Sequence, residues 1–250
     1  MPTRPFILGI VPLALALAGC SGVPGTLRES PPARPEQVLD FRTLYNQNCR
    51  ACHGEDGQNG PSMDLANPEF QALVDDNTLR NIISHGLIGT QMPAWSEQAG
   101  GMLTDQQINA IIAGMRKEWA RPNAFAGATP PPYHQPAGGN AQHGQQLYQQ
   151  RCSTCHQGND RQQPNSPVYL SLVSDDVLRS IIIAGRPDIG QSDWRMGFTR
   201  MPWLKGPITL QRMPPNPLSP QDVTDIVAYL HAQRNPDTVS AAPTPRPPRR

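Results

Sequence analysis

Cys49-Arg50-Ala51-Cys52-His53 and Cys152-Ser153-Thr154-Cys155-His156 are the places where residue types and spacing in this sequence could do chemistry together. Each reads Cys-x-x-Cys-His. Two thiols three positions apart fall on one helical turn, and the next residue adds an imidazole. That set can bond both vinyl groups of one porphyrin and place a nitrogen under its iron, the attachment pattern of c-type haem. Other readings fit less well. Structural zinc sites set their cysteine pairs closer than the 103 residues that separate these two, and each pair here has its own adjacent histidine. A thioredoxin-like redox pair needs a βαβ context, which the sequence lacks. Exported proteins do form disulfides, but a two-residue loop is a strained place for one. Of the 5 cysteines, Cys20 alone lies outside the two motifs.

The composition suits chains whose interior is filled by something besides side chains. Hydrophobic residues are 37% and aromatics 6% of 250 residues, which suits one large domain or two small ones with thin cores. The 29 prolines and 21 glycines make up a fifth of the chain. Charged residues are 16%, where about 25% is usual. The formal charge is +1, from 21 basic and 20 acidic side chains. A nucleic-acid binder driven by phosphate neutralisation is excluded on that balance.

The first residues look like an export signal. Arg4 gives a positive start, and Phe6 to Ala18 is an apolar run of 13 residues broken only by Gly9 and Pro12. A spanning helix needs about 20 apolar residues, so the run is a signal-peptide core. It ends Leu17-Ala18-Gly19-Cys20, which resembles the bacterial lipobox. That resemblance implies cleavage before Cys20, lipidation of its thiol and new amino group, and anchorage on the periplasmic face of a bacterial membrane. Ser21, rather than Asp, argues against retention at the inner membrane. The plainer alternative is an ordinary secretory signal with an incidental cysteine. Residues 1–19 are thus expected to be a lipoprotein signal peptide, and 20–34 a proline-rich tether.

An internal repeat follows the two motifs. Asp75-Asp76-Asn77-Thr78-Leu79-Arg80-Asn81-Ile82-Ile83-Ser84-His85-Gly86 resembles Ser174-Asp175-Asp176-Val177-Leu178-Arg179-Ser180-Ile181-Ile182-Ile183-Ala184-Gly185, and Leu103-Thr104-Asp105 echoes Leu218-Ser219-Pro220. The expected fold class is all-α: two tandem domains, 35–122 and 140–235, of short helices wrapped around covalently bound haem. The linker is 123–139, made semi-rigid by Pro130, Pro131, Pro132 and Pro136. The tail 236–250 is expected to be disordered. Helical periodicity runs from Glu36 to Asn48 and from Ala141 to Arg151, leading into the motifs. Middle helices Asn77 to His85 and Asp176 to Ala184 stop at Gly86 and Gly185. Thr104 and Ser219 are N-caps for the last helices.

A Cys-x-x-Cys-His after an N-terminal helix, a late Met-Pro and a terminal amphipathic helix such as Asp222 to Leu230 resemble the class I cytochrome c family over roughly Pro35 to Arg234. The resemblance implies two covalent haem c groups held by Cys49, Cys52, Cys152 and Cys155. It implies His53 and His156 as proximal iron ligands and a methionine as the distal one, a pairing that closes the iron to outside ligands. In the first domain Met92, before Pro93, is the distal candidate; Met63, Met102 and Met115 are rivals, of which Met115 sits where packing explains it. In the second, Met92-Pro93-Ala94-Trp95 faces Gln191-Ser192-Asp193-Trp194, so the methionine is replaced. Met196, Met201 and Met213 follow. Met213, in Met213-Pro214-Pro215-Asn216 before the final helix, is the expected ligand, with Met201 the runner-up and Gln191 or an open position the remaining case. His85, His134, His143 and His231 have ordinary structural readings.

The expected function is a membrane-tethered dihaem carrier of single electrons in an extracytoplasmic respiratory or photosynthetic chain. Its partners would be a quinol-oxidising complex, dehydrogenase, oxidase or soluble cytochrome. The alternative is a dihaem oxidoreductase, peroxidase-like or sulfur-compound-oxidising, with an unusual second site. A haem-based gas sensor would need an output domain, and none is visible.

Overall fold

The computed structural model describes residues 34–134, 138–153, 155–156, 164–195 and 217–234. Cys20, Met196, Met201 and Met213 lie outside them, as do the signal segment and the tail. Among the described residues every regular element is helical: α1 (Phe41–Asn48), α2 (Arg50–His53), α3 (Pro68–Leu73), α4 (Asp76–His85), α5 (Asp105–Trp119), α6 (Ala141–Arg151), α7 (Pro167–Leu170), α8 (Asp175–Ala184) and α9 (Pro220–Ala232), with short 3-10 turns at Pro35–Gln37, Glu97–Ala99 and Pro187–Ile189. The described residues from Pro35 onward belong to one compact unit.

Local chemistry sets most boundaries. The first helix starts at Phe41, not at Glu36 as its periodicity suggests. The Asp40 carboxylate accepts from Thr43 N at 2.8 Å and fixes the cap there. Val38 is held instead by Gln107 Nε2, which donates to its carbonyl and to that of Pro35. Thr104 and Ser219 cap α5 and α9 as expected, each in a reciprocal capping box, with Gln107 and Asp222. Helices α4 and α8 end at Gly86 and Gly185, with φ of 72° and 73°. A Cβ at these positions would lie 2.6 Å from Met92 O and 2.8 Å from Gln191 O, so only glycine lets the following loop fold back.

Each repeat crosses its first helix over its last, α1 with α5 and α6 with α9. The crossings bury Leu44, Tyr45, Ile108, Ile111 and Met115 in one core, and Leu147, Tyr148, Val223, Ile226 and Leu230 in the other. The copies solve the crossing with opposite choices of size. In the first, Phe41 on α1 lies against Gly114 on α5, where a Cβ would sit 2.0 Å from the ring. In the second, the small residue is Gly144 on α6, and a Cβ there would lie 1.9 Å from Asp225 O. The large residue, Tyr229, is now on α9 and packs on Tyr148 with ring centroids 5.4 Å apart.

The repeats also pack on each other. Helix α3 meets α8, and Ala184 and Ile181 join the first core. The linker is held by more than its prolines: Tyr133 is buried against the first core and Arg179 Nε donates to Pro132 O at 2.7 Å. Arg195 Nη1 donates to Phe125 O at 3.0 Å.

Gly144→Ala should therefore force α6 off α9. Its expected cost is roughly 1–3 kcal/mol, read as a lower denaturant midpoint of the haem-loaded chain. An unchanged midpoint would show that the helices do not approach so closely.

Candidate functional site

The two motifs adopt the same turn. Cys52 N and His53 N both donate to Cys49 O, at 3.2 and 3.0 Å; Cys155 N and His156 N donate to Cys152 O at the same distances. The thiols and the imidazole of each motif therefore emerge from a single turn. Of the four motif cysteines, Cys49 and Cys152 are half-buried and Cys52 and Cys155 exposed.

His53 is oriented by the backbone beneath it. Its Nδ1 lies 2.9 Å from Met63 O. A carbonyl only accepts, so Nδ1 carries the proton and Nε2 keeps its lone pair free. Burial pushes the ring below its ordinary pKa, which favours the neutral, ligating form. The segment that supplies this carbonyl is tightly placed. Ser62 N donates to Cys52 O at 2.9 Å, and a Cβ on Gly60 would sit 2.5 Å from the same oxygen. Tyr45 Oη, from α1, donates to Gly54 O at 2.8 Å just past the motif. Met63, a rival sulfur ligand by its sequence position, meets the site through its main-chain oxygen.

Met92 and Gln191 occupy equivalent places. Leu87 N donates to Met92 O at 3.0 Å, and Arg186 N to Gln191 O at 3.0 Å. Met92 is half-buried against the first core. Gln191 Oε1 lies 3.0 Å from His156 Nε2. The structure thus brings Gln191 to the imidazole nitrogen of its own motif. Met115 is 2% exposed within the first core and Met102 is 72% exposed, so neither is offered to a site. The other histidines have partners elsewhere: His85 with Asn81 O, His134 with Asp176, His143 with Asp225 and His231 with Asp175.

The donor set of each motif, two thiols and an imidazole on one turn, fits a covalently bound haem. Near the second motif the Trp194 indole N–H and the Tyr148 hydroxyl are buried without a partner among the described residues. Both are donors that a carboxylate-bearing group would satisfy.

Two family models match without overlap: "Cytochrome C oxidase, cbb3-type, subunit III" over residues 36–113, and "Cytochrome c" over residues 141–234. Each match contains one Cys-x-x-Cys-His. The chain is a dihaem class I cytochrome c. Its two cytochrome c domains carry two covalently bound haem c groups, and it is an electron-transfer protein with redox partners. Comparison with curated protein sequences finds no match. Among solved structures, the dihydro-heme d1 dehydrogenase NirN in complex with DHE is 32% identical over 33% of this chain, with a TM-score of 0.28. This chain covers 16% of that structure's length. The KustC0563 c-type cytochrome is 27% identical over 33% of this chain and 99% of its own, with the same TM-score of 0.28.

Sequence reasoning missed a buried polar cluster under the first motif of this cytochrome: Asp64, Arg186 and Asp188. One signal was present, since Arg186 stands where the first repeat has the apolar Leu87. Asp64 is 2% exposed and its Oδ1 lacks a partner among the described residues. Burial, then the Asp188 charge, pushes its carboxyl up to about 6, well above the usual carboxylate range. The folded chain therefore binds this proton more tightly than the unfolded one. Asp64 favours folding most below the unfolded value, and that contribution is lost as pH rises through about 6. Asp64→Asn should stabilise the haem-loaded protein by roughly 1–3 kcal/mol at pH 7.5 and by much less near pH 4, measured by urea denaturation at both. An equal effect at the two pH values would contradict the assignment.

Proposed function

We propose that this cytochrome is tethered to the extracytoplasmic face of a bacterial membrane through a lipid on Cys20 and passes single electrons between membrane-bound and soluble redox proteins. Bound haem c supplies an iron that changes by one electron without bond making in a substrate. Cys49 and Cys52 would hold the first haem, Cys152 and Cys155 the second, with His53 and His156 as proximal ligands. Met92 would close the first iron and Met213 the second, with Met201 next in line. The observation that carries this reading is the His53 imidazole held through Nδ1 on Met63 O, with Nε2 left free for a metal. Cytochrome c domains are typically extracytoplasmic, in keeping with the signal-like N-terminus. No helix among the described residues is long and apolar enough to cross a membrane, so attachment would fall to the lipid. The similarity of residues 36–113 to the cbb3-type oxidase subunit III family favours an oxidase as acceptor. A quinol-oxidising complex, a dehydrogenase or a soluble cytochrome would be the donor.

A second reading is favoured by one observation. Gln191, in the place of Met92, faces His156. If no methionine covers that iron, the second haem can take an outside ligand, and the chain becomes a dihaem oxidoreductase of peroxidase-like or sulfur-compound-oxidising type.

A carbon monoxide difference spectrum of the reduced, haem-loaded protein separates the two. The carrier reading expects no binding in the wild type and binding at about one haem of two in Met92→Ala. Binding at one haem in the wild type, altered by Gln191→Ala, would put the enzyme ahead. For the tether, Cys20→Ser should move the protein from the membrane fraction to the soluble fraction; retention in the membrane would contradict the lipid anchor.

A further inference from the structure

The loop that brings Gln191 to the second motif also reaches beneath the first. Its opening residue, Arg186, turns its side chain out of its own repeat. Nη1 donates to Ser62 O at 2.8 Å and Nη2 to Gly60 O at 3.3 Å. Nε and Nη2 hold the Asp188 carboxylate at 2.8 and 2.7 Å. Asp188 Oδ2 in turn accepts from Asn59 N at 3.1 Å. Nearby, Asn67 Nδ2 donates to Ala184 O at 3.0 Å and Gly185 O at 3.1 Å. The Arg186 and Asp188 side chains are 8% and 1% exposed, so the pair is taken out of water.

What Arg186 grips decides what it can do. Ser62, whose carbonyl it holds, directly precedes Met63, whose carbonyl holds His53 Nδ1. The guanidinium and the imidazole are thus fastened to consecutive peptide units.

We infer that Arg186, with Asp188, is a positioning residue for the haem of the other domain: it fixes the peptide unit next to the carbonyl that orients His53 and sets the charge near that imidazole. The inference rests on His53 being the proximal ligand of the first haem. A buried cation there disfavours the ferric form, and a buried anion favours it. The reduction potential of the first haem then depends on the second domain being docked.

The test is a redox titration of the full-length, haem-loaded protein, with the two haems followed separately and the first identified as the one whose potential Met92→Ala moves. Arg186→Gln leaves Asp188 unpaired and should lower the first potential. The expected size is on the order of a tenfold change in the ferric-to-ferrous ratio at the wild-type midpoint. Asp188→Asn keeps an oxygen for Asn59 N and for Arg186 but removes the anion, and should raise the same potential. The second haem should stay in place in both. Loosening of the domain contact would move the potential in the same direction in both variants, so opposite signs exclude it. Two loaded haems whose potentials stay put, or shift with one sign, overturn the inference. If Arg186→Gln fails to load both haems, Asp188→Asn decides alone: a rise supports the inference, and no change or a fall overturns it. Failure of the underlying reading looks different: a wild-type chain that loads fewer than two haems, or a Met92→Ala protein in which neither potential moves.

Discussion

A neutral imidazole with its proton on Nδ1 is the requirement around which the first domain is arranged. Only that tautomer leaves Nε2 free for a metal, and only a fixed acceptor selects it. The acceptor is a main-chain carbonyl, Met63 O, so its position depends on backbone placement rather than on a side-chain rotamer. The placement is over-determined. Ser62 is tied back to Cys52, Gly60 packs on the same turn without room for a Cβ, and Arg186 holds the carbonyls of Gly60 and Ser62 from the far side. Were His53 to hold the iron, as proposed, an orientation secured this way would change little when the iron gains or loses an electron.

The two repeats keep the scaffold and change the residues that distinguish one haem environment from the other. The thiol-bearing turns are superposable in their hydrogen bonds, and both middle helices end on a glycine against which the next loop folds. Four of the aligned pairs that diverge bear on this. Phe41 and Gly114 become Gly144 and Tyr229, which keeps the helix crossing filled while exchanging the large and small partners. Met92 becomes Gln191, a thioether replaced by a carboxamide facing the ring of His156. Leu87 becomes Arg186, an apolar loop residue replaced by a buried cation that serves the neighbouring domain. The last two lie on one loop, so a single segment of the second repeat meets the surroundings of both motif histidines.

That concentration has an energetic side. A buried ion pair costs desolvation that its own attraction barely offsets, so it stabilises little by itself. Asp64, buried beside the pair with an oxygen that lacks a partner among the described residues, makes the cluster costlier still. Groups kept at such expense suit electrostatic control better than adhesion. The apolar contact of α3 with α8 and the burial of Tyr133 already hold the domains together.

The features the sequence determined on its own are those whose causes lie within a few residues. Cysteine spacing and helical pitch put the thiols and imidazole of Cys49 to His53 on one turn. Thr104 and Ser219 cap because their partners lie three positions on, and Gly86 and Gly185 stop helices because only glycine tolerates that backbone. One local signal misled: periodicity from Glu36 could not reveal that the Asp40 carboxylate would claim the helix start. What the tertiary structure decided are contacts between residues remote in the chain. Arg186 with Ser62 and Asn67 with Ala184 are separated by 124 and 117 positions, and no periodicity or motif encodes such pairs. Even His53 with Met63, ten positions apart, joins a side chain to a carbonyl, and every residue type has a carbonyl. Which one an imidazole meets is fixed by how the chain folds back, and no residue letter records it.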